Sequence, residues 1–209
     1  MSFSDYSSLQ TSVASWMARG DLTTNIPDFV TLFETEANRQ LRVRQMEVTQ
    51  STTPSSGTFP LPSDYLAWKR LTWTGNGATK SLEYVHPSEI ADMYPSQPAN
   101  IPQKFSILGT TDSIGYVKLM PSDSSPVNFT YFQKLSSLST TTGSTMNWLL
   151  TAHPDVYLAG TLTEANVFVK DYDTAAIWKQ RRDALLEGIK SLDQKTRGPS
   201  RIMLAQATP

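Results

Sequence analysis

Two histidines are the first residues to weigh for chemistry. His86 and His153 each stand directly before a proline. With Asp155 or Glu83 they would make a two-histidine, one-carboxylate metal set. Their spacing matches no metal motif, and histidines on separate elements usually serve structural or surface roles, so no metal is expected. Glu34 and Glu36 suggest a second chemistry, the carboxylate pair of a glycoside hydrolase. Two positions apart on a helix, they point to different sides and read as a solvated face. Gly75-Asn76-Gly77 has no helix after it, which makes it a hairpin turn rather than a phosphate loop, and no nucleophile elbow occurs. The chain has no cysteine, hence no disulfide framework and no thiolate metal site. The expectation is a protein without catalytic residues and without a cofactor.

Nucleic acid is a separate question. Arg39, Arg42 and Arg44 with Lys69 and Arg70 could form a basic patch, as could Lys179, Arg181 and Arg182. Trp68, Trp73, Phe129 and Tyr131 could be stacking platforms on a small barrel. Against this, the net charge over 209 residues is −1, which argues against tight phosphate binding. The reading that weighs more makes the alternating aromatics a core and the arginines solvated or interfacial. A nucleic-acid-binding module stands as an alternative function.

The elements that would position these residues differ along the chain. Apolar residues make up 39% and aromatics 10%, enough to build a core. Thirteen prolines with dense Ser and Thr imply much turn and loop. No apolar run is long enough to span a membrane, and the N-terminus lacks a signal-peptide pattern. Ser4 or Asp5 can cap a first helix carrying Tyr6, Leu9, Val13 and Trp16 on one face, with Gly20 ending it. Pro27 fits the first turn of a second helix, whose stripe is Ile26, Phe29, Phe33, Ala37 and Leu41.

The middle third reads as β. Ser51 to Gly57 is a plausible boundary. Strands are expected at Trp68 to Trp73, Lys80 to Tyr84, Lys104 to Leu108, Tyr116 to Met120 and Val127 to Phe132. Asn76-Gly77 turns the first pair, and Gly109 to Gly115 turns a later one. Pro87 to Tyr94 reads as a short helix that Ser88 can cap, and Pro95, Pro98 and Pro102 forbid regular structure after it. Ser136 to Ser144 is a low-complexity loop.

Asn147 to Leu192 carries the most information. It reads as a loop, a capped helix beginning near Asp155, a break at Asp171-Tyr172-Asp173 and a second helix. The first of these helices is apolar on two faces: Val156, Gly160, Thr163 and Val167 on one, and Leu158, Leu162, Ala165 and Val169 on the other. Such a helix is central in a bundle or sandwiched between subunits. The second has one stripe of Trp178, Leu185, Ile189 and Leu192. Val156, Leu158, Leu162, Val167, Val169 and Trp178 are therefore the candidate residues for bundle core or subunit interface. The fold class expected is α+β. Residues 1–50 and 145–196 form a helical bundle, 51–144 insert an antiparallel β-rich subdomain, and 197–209 are an extended tail.

In order and spacing these residues resemble the head-to-tail adaptor, or head-completion, proteins of tailed bacteriophages, especially short-tailed ones. The likeness runs through Ile26-Pro27-Asp28-Phe29, Leu41-Arg42-Val43-Arg44-Gln45-Met46, Phe59-Pro60-Leu61-Pro62-Ser63-Asp64-Tyr65-Leu66 and Leu82-Glu83-Tyr84. It continues in Asn147-Trp148-Leu149-Leu150, His153-Pro154-Asp155-Val156-Tyr157-Leu158, Trp178 and Arg182. The resemblance implies a structural virion protein of the neck, assembled in the host cytoplasm. It implies a twelve-subunit ring under the portal, with a tail nozzle below and genomic DNA passing through the channel without sequence-specific binding. The C-terminal tail, with Arg197, Arg201, Ile202, Met203 and Leu204, would dock on the portal. A tail-associated cell-wall hydrolase resting on Glu34 and Glu36 is a further alternative.

Overall fold

The computed structural model describes residues 5–93, 99–109, 115–139 and 144–196. Ser4, Tyr94, Pro95, Pro98, the middle of the Gly109 to Gly115 turn, part of the Ser/Thr loop and the tail residues Arg197, Arg201, Ile202, Met203 and Leu204 lie outside the described residues. The fold is α+β, and the chain divides into two compact units. One is built from the chain up to Gln45 and from Leu135 onward, the other from Met46–Lys134.

The helical unit opens with α1 (Tyr6–Met17). Asp5 caps it reciprocally: its carboxylate accepts from the Ser8 amide at 2.8 Å, and its own amide donates to the Ser8 hydroxyl at 3.0 Å. Tyr6, Leu9 and Val13 are buried, whereas Trp16 is half exposed. The helix stops at Ala18, whose φ of 50° supplies the left-handed cap expected of Gly20. Helix α2 (Ile26–Gln40) has Pro27 in its first turn and buries Ile26, Phe29, Phe33 and Ala37. Leu41, which caps its C-terminus, is buried as well.

Among its described residues the β-unit holds eight strands where five were expected. They are β1 (Glu47–Thr52), β2 (Thr58–Pro60), β3 (Tyr65–Gly75), β4 (Ala78–Ser81), β5 (Glu83–Tyr84), then β6 (Lys104–Leu108), β7 (Tyr116–Met120) and β8 (Val127–Gln133), with helix α3 (Pro87–Met93) between β5 and β6. One sheet has the order β1-β8-β3-β4, the other β2-β7-β6-β5. Every pair is antiparallel except β5 with β6. Strand β1 falls on the last residues of the segment assigned to the helical bundle and the first of the expected boundary. Val48 is its only apolar residue, so it carries no alternation; its six-residue register on β8 defines it instead. Asn76 and Gly77 have φ of 52° and 74°, the geometry of a two-residue hairpin turn. The strand expected over Lys80 to Tyr84 splits around buried Leu82, with β4 in one sheet and β5 in the other. At the start of α3, His86 Nδ1 lies 2.8 Å from the Ser88 hydroxyl, so His86 rather than Ser88 holds the position before the helix. Leu71, Trp73, Phe105, Leu119 and Phe129 centre the core between the sheets.

The chain then returns to the helical unit. Residues taken for a loop form α4 (Trp148–Ala152), capped by Asn147, whose Oδ1 accepts from the Leu150 amide at 2.9 Å. Helix α5 (Pro154–Phe168) is buried almost all round, with α1, α2, α4 and α6 (Tyr172–Thr196) of the same chain as its neighbours. Gly160 lets α2 come close, because a Cβ there would overlap the Phe33 ring. The break before α6 lies at Lys170, with φ 66°, and Asp171 accepts from the Thr174 amide at 3.2 Å. The inward stripe of α6 is Ala175, Arg182, Leu186, Ile189 and Asp193. It differs from the expected stripe, since Leu192 is exposed and Trp178 and Leu185 are only half-buried.

Candidate functional site

Glu34 is the residue whose surroundings depart furthest from expectation. It was read as part of a solvated face, yet it is only 3% exposed. The period of α2 places it beside Phe33 and Ala37, over the segment that leaves the β-unit. Its Oε1 accepts from the Leu138 amide at 2.9 Å and from the Tyr157 hydroxyl at 3.0 Å. Asn147 Nδ2 in turn donates to the Tyr157 hydroxyl at 2.6 Å and to the Ser136 carbonyl at 2.8 Å. Burial pushes the Glu34 carboxyl above its ordinary value, and the hydrogen bonds from Leu138, Tyr157 and Ser137 pull it partway back. Burial, then the Glu34 charge, pushes the Tyr157 phenol far up. The cluster ties α2, α5, residues 136–138 and Asn147 together. Its carboxylate faces hydrogen-bond partners instead of a substrate cavity. Glu36, its supposed catalytic mate, is bound elsewhere, to Arg39 at 3.6 Å and Gln40.

The other residues with chemical potential belong to different units or are engaged within the chain. His86 belongs to the β-unit and His153 to the helical one. His153 stands between α4 and α5 with its ring edge-on to Trp148, while Asp155 is exposed in the first turn of α5. Glu83 pairs with Lys104 at 3.7 Å. Among the described residues no group of three or more His, Asp or Glu is placed to hold a metal ion.

The basic residues are largely engaged within the chain. Arg42 donates to the Asn38 carbonyl at 2.6 Å and so caps α2. The Arg44 side chain pairs with Asp193 at 3.5 Å, and Lys69 pairs with Glu47. Arg182, only 5% exposed, meets Asp183 at 2.9 Å and Glu164 at 3.8 Å. Arg181 lies over the Trp178 ring, 5.5 Å from its centroid. Of the four aromatics weighed as stacking platforms, Trp73, Phe129 and Tyr131 are buried in the core. Trp68 stacks on Tyr84 with centroids 5.1 Å apart.

The helical unit also exposes some apolar side chains. Among the candidate residues Val156, Leu158 and Leu162 are buried, Val169 and Trp178 are half-buried and Val167 is exposed. Leu162, Asn166, Val169 and Trp178 line a groove with Trp16 and Met17, where Trp16 meets Trp178 edge-on at 5.5 Å. On α6, Ile177 is 68% and Leu192 60% exposed. At 100° per residue Ile177, Ala184 and Gly188 lie roughly opposite the inward stripe with Arg181 beside them, whereas Leu192 lies about 90° from that stripe, on the flank of Trp178 and Leu185. Sequence reading missed Ile177 because it sought one stripe on α6, and it placed Leu192 within that stripe.

No helix among the described residues is long and apolar enough to cross a membrane. No curated protein matches the chain. The family model described as SU10 adaptor protein matches residues 4–203, nearly the whole chain. On that match over nearly its whole length, the chain belongs to the SU10 adaptor protein family and is a structural, head-to-tail adaptor protein of the phage virion neck.

Proposed function

We propose that the chain is a ring-forming adaptor that joins the capsid portal to the tail or nozzle of a short-tailed phage. The ring continues the DNA channel and passes DNA without sequence-specific binding. The observation that carries ring formation is the exposure of two large apolar residues of α6, Ile177 and Leu192, outside its inward stripe. A ring gives every copy a neighbour on two sides through heterologous contacts, which suits a helix with apolar residues on two faces. Family membership supports portal and tail partners, and the resemblance to head-to-tail adaptors implies twelve copies. Residues 197–209 act as the portal-docking tail. Arg197 and Arg201 flank the start of that segment, and Ile202-Met203-Leu204 gives it an apolar cluster that suits ordering on a partner. The ring is assembled in the host cytoplasm and carried in the neck.

The test is the native mass of the purified protein, alone and with its portal. Twelve copies per portal are expected. Ile177→Asp combined with Leu192→Asp should keep the wild-type circular dichroism and lose the ring, because both positions are solvent-exposed in the single chain. Deleting residues 197–209 should leave the fold intact and abolish portal binding. Wild-type rings and portal affinity from both variants would overturn the reading.

A further inference from the structure

Each sheet of the β-unit has two edges, and three of the four are blunted. Strand β2 has three residues and ends in Pro60, β5 has two residues including Glu83, and β4 carries Lys80 on a short hairpin. Short strands, prolines and charges are the devices that stop an edge from pairing with another chain. Strand β1 has few of them. It is six residues long, and Val48–Thr52 contains no charge, proline or glycine. Thr49, Gln50 and Ser51 are exposed, and among the described residues β1 pairs with β8 alone. In an antiparallel pair every second residue turns its N–H and C=O away from the partner, so this edge offers a row of main-chain donors and acceptors.

A groove runs along that edge. Gln50 and Thr52 line one end of it with Phe59, Leu61 and Phe129, in a pocket of about 150 Å³. Val48, Thr49 and Gln50 line the other with Ser63, Asp64 and Tyr131. Pro62 lies in both. Asp64, half-buried, accepts from the Tyr131 hydroxyl at 3.0 Å and is the only charged side chain among these lining residues. The groove is thus apolar at one end and negative at the other, with the two ends centred about two residues of β1 apart, ~7 Å.

We propose that the β1 edge is a strand-addition site for an extended segment of a partner protein that carries an apolar side chain and a Lys or Arg two positions apart. Main-chain hydrogen bonds to β1 hold the segment, its apolar side chain enters the Phe59–Leu61–Phe129 end, and its cation meets Asp64. The site lies within the β-unit and does not depend on the ring reading.

The probe is a pair of blocked, labelled decapeptides of alternating Thr and Val, one bearing Leu-Thr-Lys and the other Lys-Thr-Leu at the centre. One order should bind the full-length protein, and Lys→Glu in that peptide should weaken it about tenfold. Binding should slow hydrogen exchange of amides within Val48–Thr52. Asp64→Asn keeps an acceptor for Tyr131 and should erase the preference for Lys over Glu. Gln50→Lys installs an edge charge that competes for Asp64 and should abolish binding, with circular dichroism unchanged. Equal binding of the Lys and Glu peptides, or exchange protection confined to other strands, overturns the proposal. So does a dimer of the free protein that Gln50→Lys dissolves, since the occupant would then be a second copy.

Discussion

Replacing Glu34 separates two contributions that its burial combines. Glu34→Ala leaves the Leu138 amide and the Tyr157 hydroxyl without their acceptor. Each buried donor left unpaired costs about 1–3 kcal/mol, roughly 2–6 kcal/mol together, from which the relief of a buried charge subtracts part. A net loss of about 3 kcal/mol is expected, a fall in Tm of roughly 6–12 °C for a chain of this size. Glu34→Gln keeps an oxygen in the same place and should stay within about 1 kcal/mol of wild type. The pH dependence supplies a second readout. The folded-state carboxyl titrates above its ordinary value of 4.5, chiefly because burial disfavours the charge. The folded chain therefore binds this proton more tightly than the unfolded one. The contribution is fully present below 4.5 and is lost as pH rises through the raised folded value. Tyr6 and Tyr157 face the same carboxylate, and both stay neutral throughout that window. Urea unfolding at a series of pH values should show wild type losing stability relative to Glu34→Gln on going from mild acid to neutral. Equal stability of the Ala and Gln variants, or parallel pH profiles for wild type and Gln, would refute the account of Glu34 as a buried hub.

Two further substitutions probe the same unit. Gly160→Ala gains about 1 kcal/mol of helix propensity. Its Cβ overlaps the fully buried Phe33 ring, so a net destabilisation of about 1–3 kcal/mol is expected in urea unfolding. Gly188→Ala is its control: nothing lies within 4 Å of the new methyl, and stability should rise by up to ~1 kcal/mol. Tyr157→Phe removes one donor to Glu34 and one acceptor for Asn147 and should cost about 1–3 kcal/mol at neutral pH. Because the folded-state phenol is pushed well above 10, wild type sheds this group's stabilisation as pH rises past 10, and the Phe variant should show a shallower alkaline loss in the same measurement.

The parts of the fold legible in the sequence are those where the local signal and the tertiary packing agree. Pro27 and the stripe from Ile26 to Leu41 mark α2, and Asn76-Gly77 marks the β3–β4 turn, because one residue type satisfies both demands there. Strand β1 was illegible for the opposite reason. Thr, Gln and Ser have no alternation to read, and the strand exists through its pairing with β8, some eighty residues on. The polar residues of the interior failed in the same way. Glu34, Arg182 and Asp193 look like surface by residue type although the helical period puts them on the inward side, and each has a partner that no local window contains: Leu138 and Tyr157, Glu164, and Arg44. A charge read alone is assigned to solvent, and only its distant counterpart shows that it is buried.

The same argument relocates the surface on which assembly would depend. Sequence periodicity identified α5 as the helix with two apolar faces and offered its second face to either the bundle or a neighbouring subunit. A helix apolar all round is one that its own chain can enclose, and α5 meets four helices of the same chain, with Gly160 against Phe33. Most of its apolar surface is covered at home, and of its apolar residues only Val167 and Phe168, at its C-terminal end, are exposed. Helix α6 looks less hydrophobic because Arg182 and Asp193 dilute its inward stripe, yet Ile177 and Leu192 stay outside that stripe and exposed among the described residues. When two helices compete as interface candidates, the more apolar one is the better candidate for the core. The helix whose apolar residues exceed what its own inward stripe needs is the better candidate for the partner. Substitutions intended to disperse an assembly without unfolding the chain therefore belong at Ile177 and Leu192, and Leu162→Asp, which buries an unpaired charge in α5, would report on folding instead.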